Sequence, residues 1–305
     1  MFKELRKKNY DALLIHGYSS LGNHLGYLAA LLAKTPIIIS GEAYLRKNEP
    51  QWKKILKEIF FKIWFRRINA FMAIGTVSKN FYKHFGVPEE KIFLFPYPVD
   101  NEFLFEKSNE LSKRKRELKK ELKLETNKPI VLSVARLIKR KRPFDLLKAA
   151  QELKEKALFV FVGDGILYNK IEKEKKSKEL NNVIIAGFKT PEEVYKYYTV
   201  SDIFVLPSSY EPWGFVINEA MCFGLPIVAA DGVAAAYDLV HHRENGFIFE
   251  SKNSKQLTKY LEKLVDDPSL RKKMGKRSNK IISRWNSKLA TKNMVNALEF
   301  IRNNR

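Results

Sequence analysis

Ten short runs of β-branched and aromatic residues recur along this chain, each followed by a stretch of helical character, and that alternation permits few folds. The runs are ALLIH (12–16), PIIIS (36–40), AFMAIG (70–75), KIFLF (91–95), PIVLSVA (129–135), ALFVFVG (157–163), NVIIAG (182–187), DIFVLP (202–207), PIVAA (226–230) and GFIFE (246–250). Apolar strands separated by crossover helices predict parallel sheets buried on both faces. The expected class is α/β. The last six runs suffice for a doubly wound domain, whereas the first four fall short of a full one. Three regions are therefore expected: a partial Rossmann-like domain over 1–106, a complete one over 107–280, and a C-terminal helix over 281–305 that packs back towards the first. That helix includes Trp285, Leu289, Met294, Leu298 and Ile301. Between the two domains lies ELSKRKRELKKELKL, which reads as a solvated helix beside the boundary.

Charge narrows the partners. Against 34 acidic residues stand 56 Lys and Arg, a formal net charge of +22. Such a field favours nucleic acid, an acidic membrane surface or phosphorylated ligands, and composition alone leaves all three open. The single cysteine, Cys222, leaves no internal disulfide and reads as a core residue of a reducing compartment. The opening MFKELRKKNYD lacks the apolar region of a signal peptide, and no stretch reaches the length of a membrane span, so a cytoplasmic location is expected. One segment qualifies that expectation. QWKKILKEIFFKIWFRRINAF, Gln51 to Phe71, mixes Trp, Phe and Ile with Lys53, Lys54, Lys57, Lys62, Arg66 and Arg67. Two readings stand side by side: its apolar face covers the sheet, or it lies in the interface of an anionic membrane.

In open parallel sheets ligands bind beyond the carboxyl ends of the strands. Arg136 and Lys141 follow PIVLSVA there, two cations within one loop. Gly163 ends ALFVFVG before the tight turn Asp164-Gly165, where backbone approaches a ligand closely. Gly187 and Phe188 follow the next strand, and Thr190-Pro191 reads as an N-cap and first helical position. DIFVLP leads into SSYEPWGFVINEA, with a helix predicted to begin near Trp213 or Gly214. A helix N-terminus there suits a phosphate, with Arg136 and Lys141 beside it. Glu211 and Glu219 are acceptors only and suit hydroxyl groups. Two carboxylates, two polyols and a diphosphate between them describe a sugar nucleotide.

These residues resemble the retaining glycosyltransferases of family 4, which have the GT-B fold of two Rossmann-like domains facing a cleft. PSSYEPWGFVINEAMCFGLPIVA carries that family's E-x7-E pattern in Glu211 and Glu219. SVARLIKRK is similar to its G-R-L-x-x-x-K stretch, FVGDG to its V-G-x-G turn, and ENGFIF to its N-G-F-L-V, all in the family's order. The resemblance implies that Arg136 and Lys141 neutralise the departing diphosphate, that Glu211 lies beside the donor sugar, and that Glu219 holds the ribose hydroxyls. It also implies that amides around Gly214, Phe215 and Val216 touch sugar and phosphate. The chain has no D-x-D, so no metal or other cofactor is expected and fixed cations are left to stabilise the leaving group.

The first half matches less. DALLIHGYSS resembles an acceptor-domain strand and places His16 on the acceptor side, with Glu42 where many members have a His. Tyr97 and Pro98 stand where Asn and Gly are usual. The family's first strand and Gly-rich loop are not matched, so the N-terminal domain is expected to be incomplete: a fragment or misplaced start, a naturally short version, or one completed by a partner subunit. The resulting expectation is transfer of a hexose from a nucleotide diphosphate sugar to a glycan or lipid-linked acceptor, peripherally at the membrane. A non-catalytic nucleotide-sugar-binding module is the alternative. Nucleic acid is disfavoured as a partner, because two carboxylates lie where the ligand would go.

Overall fold

The computed structural model describes residues 2–7, 10–45 and 50–304. All ten expected strands form, each within its predicted run, and every strand pair is parallel. The chain divides into two compact units, one of residues 1–98 with 285–305 and one of 99–284.

The first unit alternates α1 (Phe2–Lys7), β1 (Leu13–His16), α2 (Leu21–Ala33), β2 (Ile37–Ser40), α3 (Gln51–Phe65), β3 (Ala70–Ala73), α4 (Thr76–His84) and β4 (Ile92–Leu94). Its sheet has the order β1-β2-β3-β4. Successive side chains of a strand point to opposite faces, so β2 serves two cores. Ile37 and Ile39 join Phe61, Trp64 and Phe65 of α3 and Phe81 and Tyr82 of α4 on one face. Ile38, with Ala70 and Met72, meets Ala297 and Ile301 on the other.

The second unit begins with α5 (Asn101–Ser112) and α6 (Lys115–Glu121), continues through β5 (Ile130–Val134), a 3₁₀ turn over Lys139–Lys141, α7 (Pro143–Glu152), β6 (Leu158–Val162), α8 (Tyr168–Ser177), β7 (Val183–Gly187), α9 (Pro191–Val200) and β8 (Ile203–Leu206), and ends with α10 (Phe215–Cys222), β9 (Ile227–Ala230), α11 (Ala236–Leu239), β10 (Gly246–Phe249), α12 (Ser254–Asp266) and α13 (Pro268–Ile282). The final helix, α14 (Ser287–Asn303), belongs to the first unit and packs on β3 and β4.

The charged stretch differs from the expected solvated helix. It forms two helices, and Leu104, Leu111 and Leu118 are buried along them, one apolar residue every second turn. This face packs α5 against α9 and α10, and α6 against α9, which places both helices in the second unit. The Lys and Arg side chains occupy the remaining faces.

The second sheet has the order β10-β9-β8-β5-β6-β7. Starting from β5, the chain adds β6 and β7 on one side, then returns to lay β8, β9 and β10 on the other. The crossover connections leave β5 and β8 in opposite directions, and in open α/β sheets the ligand crevice lies at such a switch point, beyond the carboxyl ends of the two strands.

Candidate functional site

Both sequences that enter this crevice carry functional groups. After β5 the chain runs through Arg136 into the 3₁₀ turn Lys139–Lys141, and after β8 it runs through Ser208 to Gly214. The two loops are fastened together. The Ser209 amide and hydroxyl both donate to the Arg140 carbonyl, at 2.8 and 3.1 Å, and the Arg140 guanidinium donates to the Tyr210 carbonyl at 3.0 Å. A third loop holds from the far side: the Glu211 amide donates to the Gly232 carbonyl at 2.9 Å and the Ala234 amide to the Glu211 carbonyl at 3.1 Å.

Glu211 is the electrostatic centre. Its Oε2 accepts from Lys141 Nζ and from Arg140 Nη1, the latter at 3.3 Å. The Lys141 and Glu211 side chains are each only 12% exposed. A pair so shielded from water holds fixed geometry, and removing one partner strands the other charge at a cost of about 3–5 kcal/mol. Arg136 is exposed, and among the described residues its guanidinium has no ion-pair partner.

The helix N-terminus predicted near Gly214 is present: Gly214 is the N-cap of α10. Its φ of +107° lies in the region that side chains disfavour, and an added Cβ would sit 3.1 Å from Val233 and 3.4 Å from Glu211 Cγ. Glycine thus brings Glu211 against the start of α10. No side chain caps that end, which leaves its positive pole for an anionic group.

Along α10, Ile217, Asn218, Ala220, Met221 and Cys222 are buried, whereas Phe215, Val216 and Glu219 lie on the less buried face. Phe215 and Glu219 are one turn apart and share that face. Glu219 Oε2 accepts a hydrogen bond of 2.8 Å from the Tyr198 hydroxyl. Burial raises the Glu219 carboxyl pKa, and the Tyr198 bond opposes that rise. Burial likewise pushes the Cys222 thiol up to about 12, with Glu219 adding to the effect, so this cysteine is a core residue.

Gly163 follows β6 and packs beside the first loop. A Cβ there would lie 2.1 Å from the Ala135 carbonyl oxygen, so only glycine admits this approach. Gly187 ends β7 with φ +72° and open space around it, and Phe188 after it is 75% exposed. The helix that follows starts as expected, with a full capping box between Thr190 and Glu193.

His16 and Glu42 lie in the first unit, His16 as the last residue of β1, paired with Ser40, and Glu42 two residues past β2, and both are exposed. Asn23 Nδ2 donates to the His16 carbonyl at 2.6 Å, and Tyr18 donates to the Glu42 carbonyl at 3.4 Å. Burial raises the Tyr97 pKa, and the Glu42 charge adds to it.

Two participants escaped the sequence reading. Arg140 sits in a run so basic that solubility accounted for it. Tyr198 lies inside the helix α9 with no spacing to mark it. Their roles follow from contacts across 71 and 21 residues of chain.

The family described as Glycosyl transferases group 1 matches residues 114–281. The chain belongs to that family. Among the curated members that it resembles, an alpha-D-kanosaminyltransferase of Streptomyces kanamyceticus is 31% identical over 192 residues, 62% of this chain and 48% of that protein. A UDP-Gal:alpha-D-GlcNAc-diphosphoundecaprenol alpha-1,3-galactosyltransferase of Escherichia coli is 29% identical over 301 residues, 94% of this chain and 74% of that protein. The fold is shared with HepE of Anabaena, solved in complex with UDP, at a TM-score of 0.80 and 19% identity, over 98% of this chain and 80% of that one. The match to the glycosyl transferases group 1 spans the crevice loops, from Arg136 to the carboxylate at Glu219.

Proposed function

We propose that this chain transfers a hexose from a nucleotide diphosphate sugar, with retention at the anomeric carbon and without a metal. The observation that carries this reading is the shielded Lys141–Glu211 pair at the start of α10, joined by Arg140, with Arg136 in the same loop after β5. In this reading the diphosphate lies at the N-terminus of α10. Lys141, Arg140 and Arg136 offset the charge that builds on it as the glycosidic bond breaks. Glu211 lies against the donor sugar, and Glu219, held by Tyr198, accepts from the ribose hydroxyls. The bond from the anomeric carbon to the leaving phosphate oxygen breaks, that oxygen takes the acceptor hydroxyl proton, and the acceptor oxygen bonds to the same face. No enzyme nucleophile is required.

The acceptor side of the proposal rests on relatives. The E. coli protein is named for a diphosphoundecaprenol substrate, and we extend to this chain an acceptor that is a glycan or a lipid-linked sugar, reached at a membrane surface. His16 and Glu42, at the strand ends of the first unit, are the residues proposed to meet it. HepE was solved with UDP, so uracil is the first base to try.

A thermal-shift comparison of UDP, GDP and ADP on wild type and Glu219→Ala tests the donor site. A ligand at a hundred times its Kd adds about 2.7 kcal/mol of stability, and the variant should lose that rise. Release of free UDP from a UDP-hexose then separates a transferase from a module that only binds. No shift with any of the three nucleotides would overturn the proposal.

A further inference from the structure

The basic segment after Gln51 builds a helix with two apolar faces. Phe61, Trp64 and Phe65 are buried in the core of the first unit. On the opposite side Trp52, Ile55, Leu56, Ile59, Phe60 and Ile63 are all exposed, Ile63 by 63%. At 3.6 residues per turn these six fall on one continuous stripe. One face thus covers the core, as the first reading of the sequence has it, and the opposite face leaves an exposed apolar stripe.

A second stripe lies beside it. The helix α2 buries Gly26, Ala29 and Ala30, and its other side exposes Leu21, Leu25, Leu28 and Leu32. The two helices touch through rings: His24 meets Phe60 at 5.9 Å, and Tyr27 meets Trp64 at 5.0 Å and donates to its carbonyl at 2.9 Å. The stripes thus adjoin, and exposed Lys53, Lys62, Arg66 and Arg67 border them. Next to Ile55 and Ile59 the platform opens into a cavity of about 590 Å³, walled by Phe61, Phe81 and Phe85, with Lys54 and Lys57 on its lining. No helix among the described residues is long and apolar enough to cross a membrane.

We infer that α2 and α3 together form a docking surface for an anionic lipid bilayer, lying flat with the apolar stripes among the acyl chains and the cations among the phosphates. This inference names the surface on which the proposed membrane-side acceptor reading rests. Charge decides between the bilayer and a second copy of the chain. A second copy would bring the same four cations against their own kind on a protein of net charge +22, whereas anionic headgroups neutralise them. An aliphatic stripe flanked by Lys and Arg, with Trp52 and Phe60 in it, has the composition that interfacial helices use.

Flotation with vesicles of phosphatidylcholine, with and without phosphatidylglycerol, tests this on the full chain. Wild type should float with the phosphatidylglycerol vesicles. Leu28→Glu with Ile63→Glu should bind at least tenfold less, and Arg66→Glu with Arg67→Glu should lose the preference for phosphatidylglycerol. All three proteins should keep the same thermal shift with UDP, since none of these residues lies in the donor unit. Wild type that stays in solution, or a double Glu variant that floats like wild type, would overturn the inference. So would a wild-type dimer in light scattering that the double Glu variant breaks while flotation fails. A missing UDP shift in all three with flotation intact would overturn the donor reading and leave the docking surface standing.

Discussion

The strands of the second unit grow outward from β5 in both directions, while those of the first are added in one direction only. That contrast extends to the surface. In the second unit the exposed large apolar residues are Phe103, Ile166, Phe188, Phe215 and Tyr237, scattered singly, and Phe215 opens α10 beside the crevice loops. In the first unit most of them gather on α2 and α3, with Tyr10, Leu14, Leu45, Leu94, Val295 and Leu298 elsewhere. A reversal of strand order creates a crevice, and this chain lines it with glycines, a shielded ion pair and a helix N-terminus. Without a reversal, the first unit's most distinctive feature is on its outside. The comparison teaches that one kind of βα winding yields a buried chemical site or an outward contact surface, according to where the order turns back and which helix faces remain uncovered.

The comparison breaks most readily at Glu211. Glu211→Gln removes the charge that pairs with Lys141, so we expect a loss of about 3 kcal/mol in calorimetric unfolding and a fall in sugar transfer on the order of a hundredfold or more. An unchanged melting temperature and rate would mean that the buried pair contributes neither stability nor chemistry. A smaller effect, opposite in sign for stability, is expected at Glu219. Its carboxyl pKa is raised in the folded chain, so the unfolded chain ionises first as pH rises and stability falls through that interval. Glu219→Gln should therefore melt higher than wild type at pH 7, with the difference vanishing below the carboxyl's ordinary 4.5, while nucleotide binding weakens. A variant less stable than wild type at pH 7 would show that the Tyr198 hydrogen bond outweighs burial. Least is expected from the first unit: Leu28→Ser, at an exposed position, should move stability by about 0.5 kcal/mol or less in urea titration. A larger loss would show that the α2 stripe is covered within the folded chain.

Much of this was legible in the residues. The ten strands announce themselves because a buried parallel strand is a short apolar run, and Gly214 was marked by the small-residue turn before an apolar helix. The N-cap at Thr190 and the burial of Cys222 were equally plain. The link between Lys141 and Glu211 was not, since pairing across 70 residues leaves no trace in either local sequence. Arg140 was hidden among its cationic neighbours, from which its contacts with Tyr210 and Glu211 set it apart. The burial of Leu111 and Leu118 was masked by the charges around them, although their spacing carried it. The stripe of α2 is written in LGNHLGYLAALLA, yet periodicity shows only that a helix has an apolar side, and here the small residues, Gly26, Ala29 and Ala30, face the core while the leucines face out.

The contact of α14 with β3 and β4 has a consequence in time. Ile38, Ala70 and Met72 leave the ribosome well before their covering partners, Ala297 and Ile301. Throughout synthesis of the intervening 186 residues, Val99 to Arg284, one face of the first sheet has no lid of its own. The second unit can fold as an uninterrupted piece during that interval, so the first sheet, translated before that unit, is completed after it.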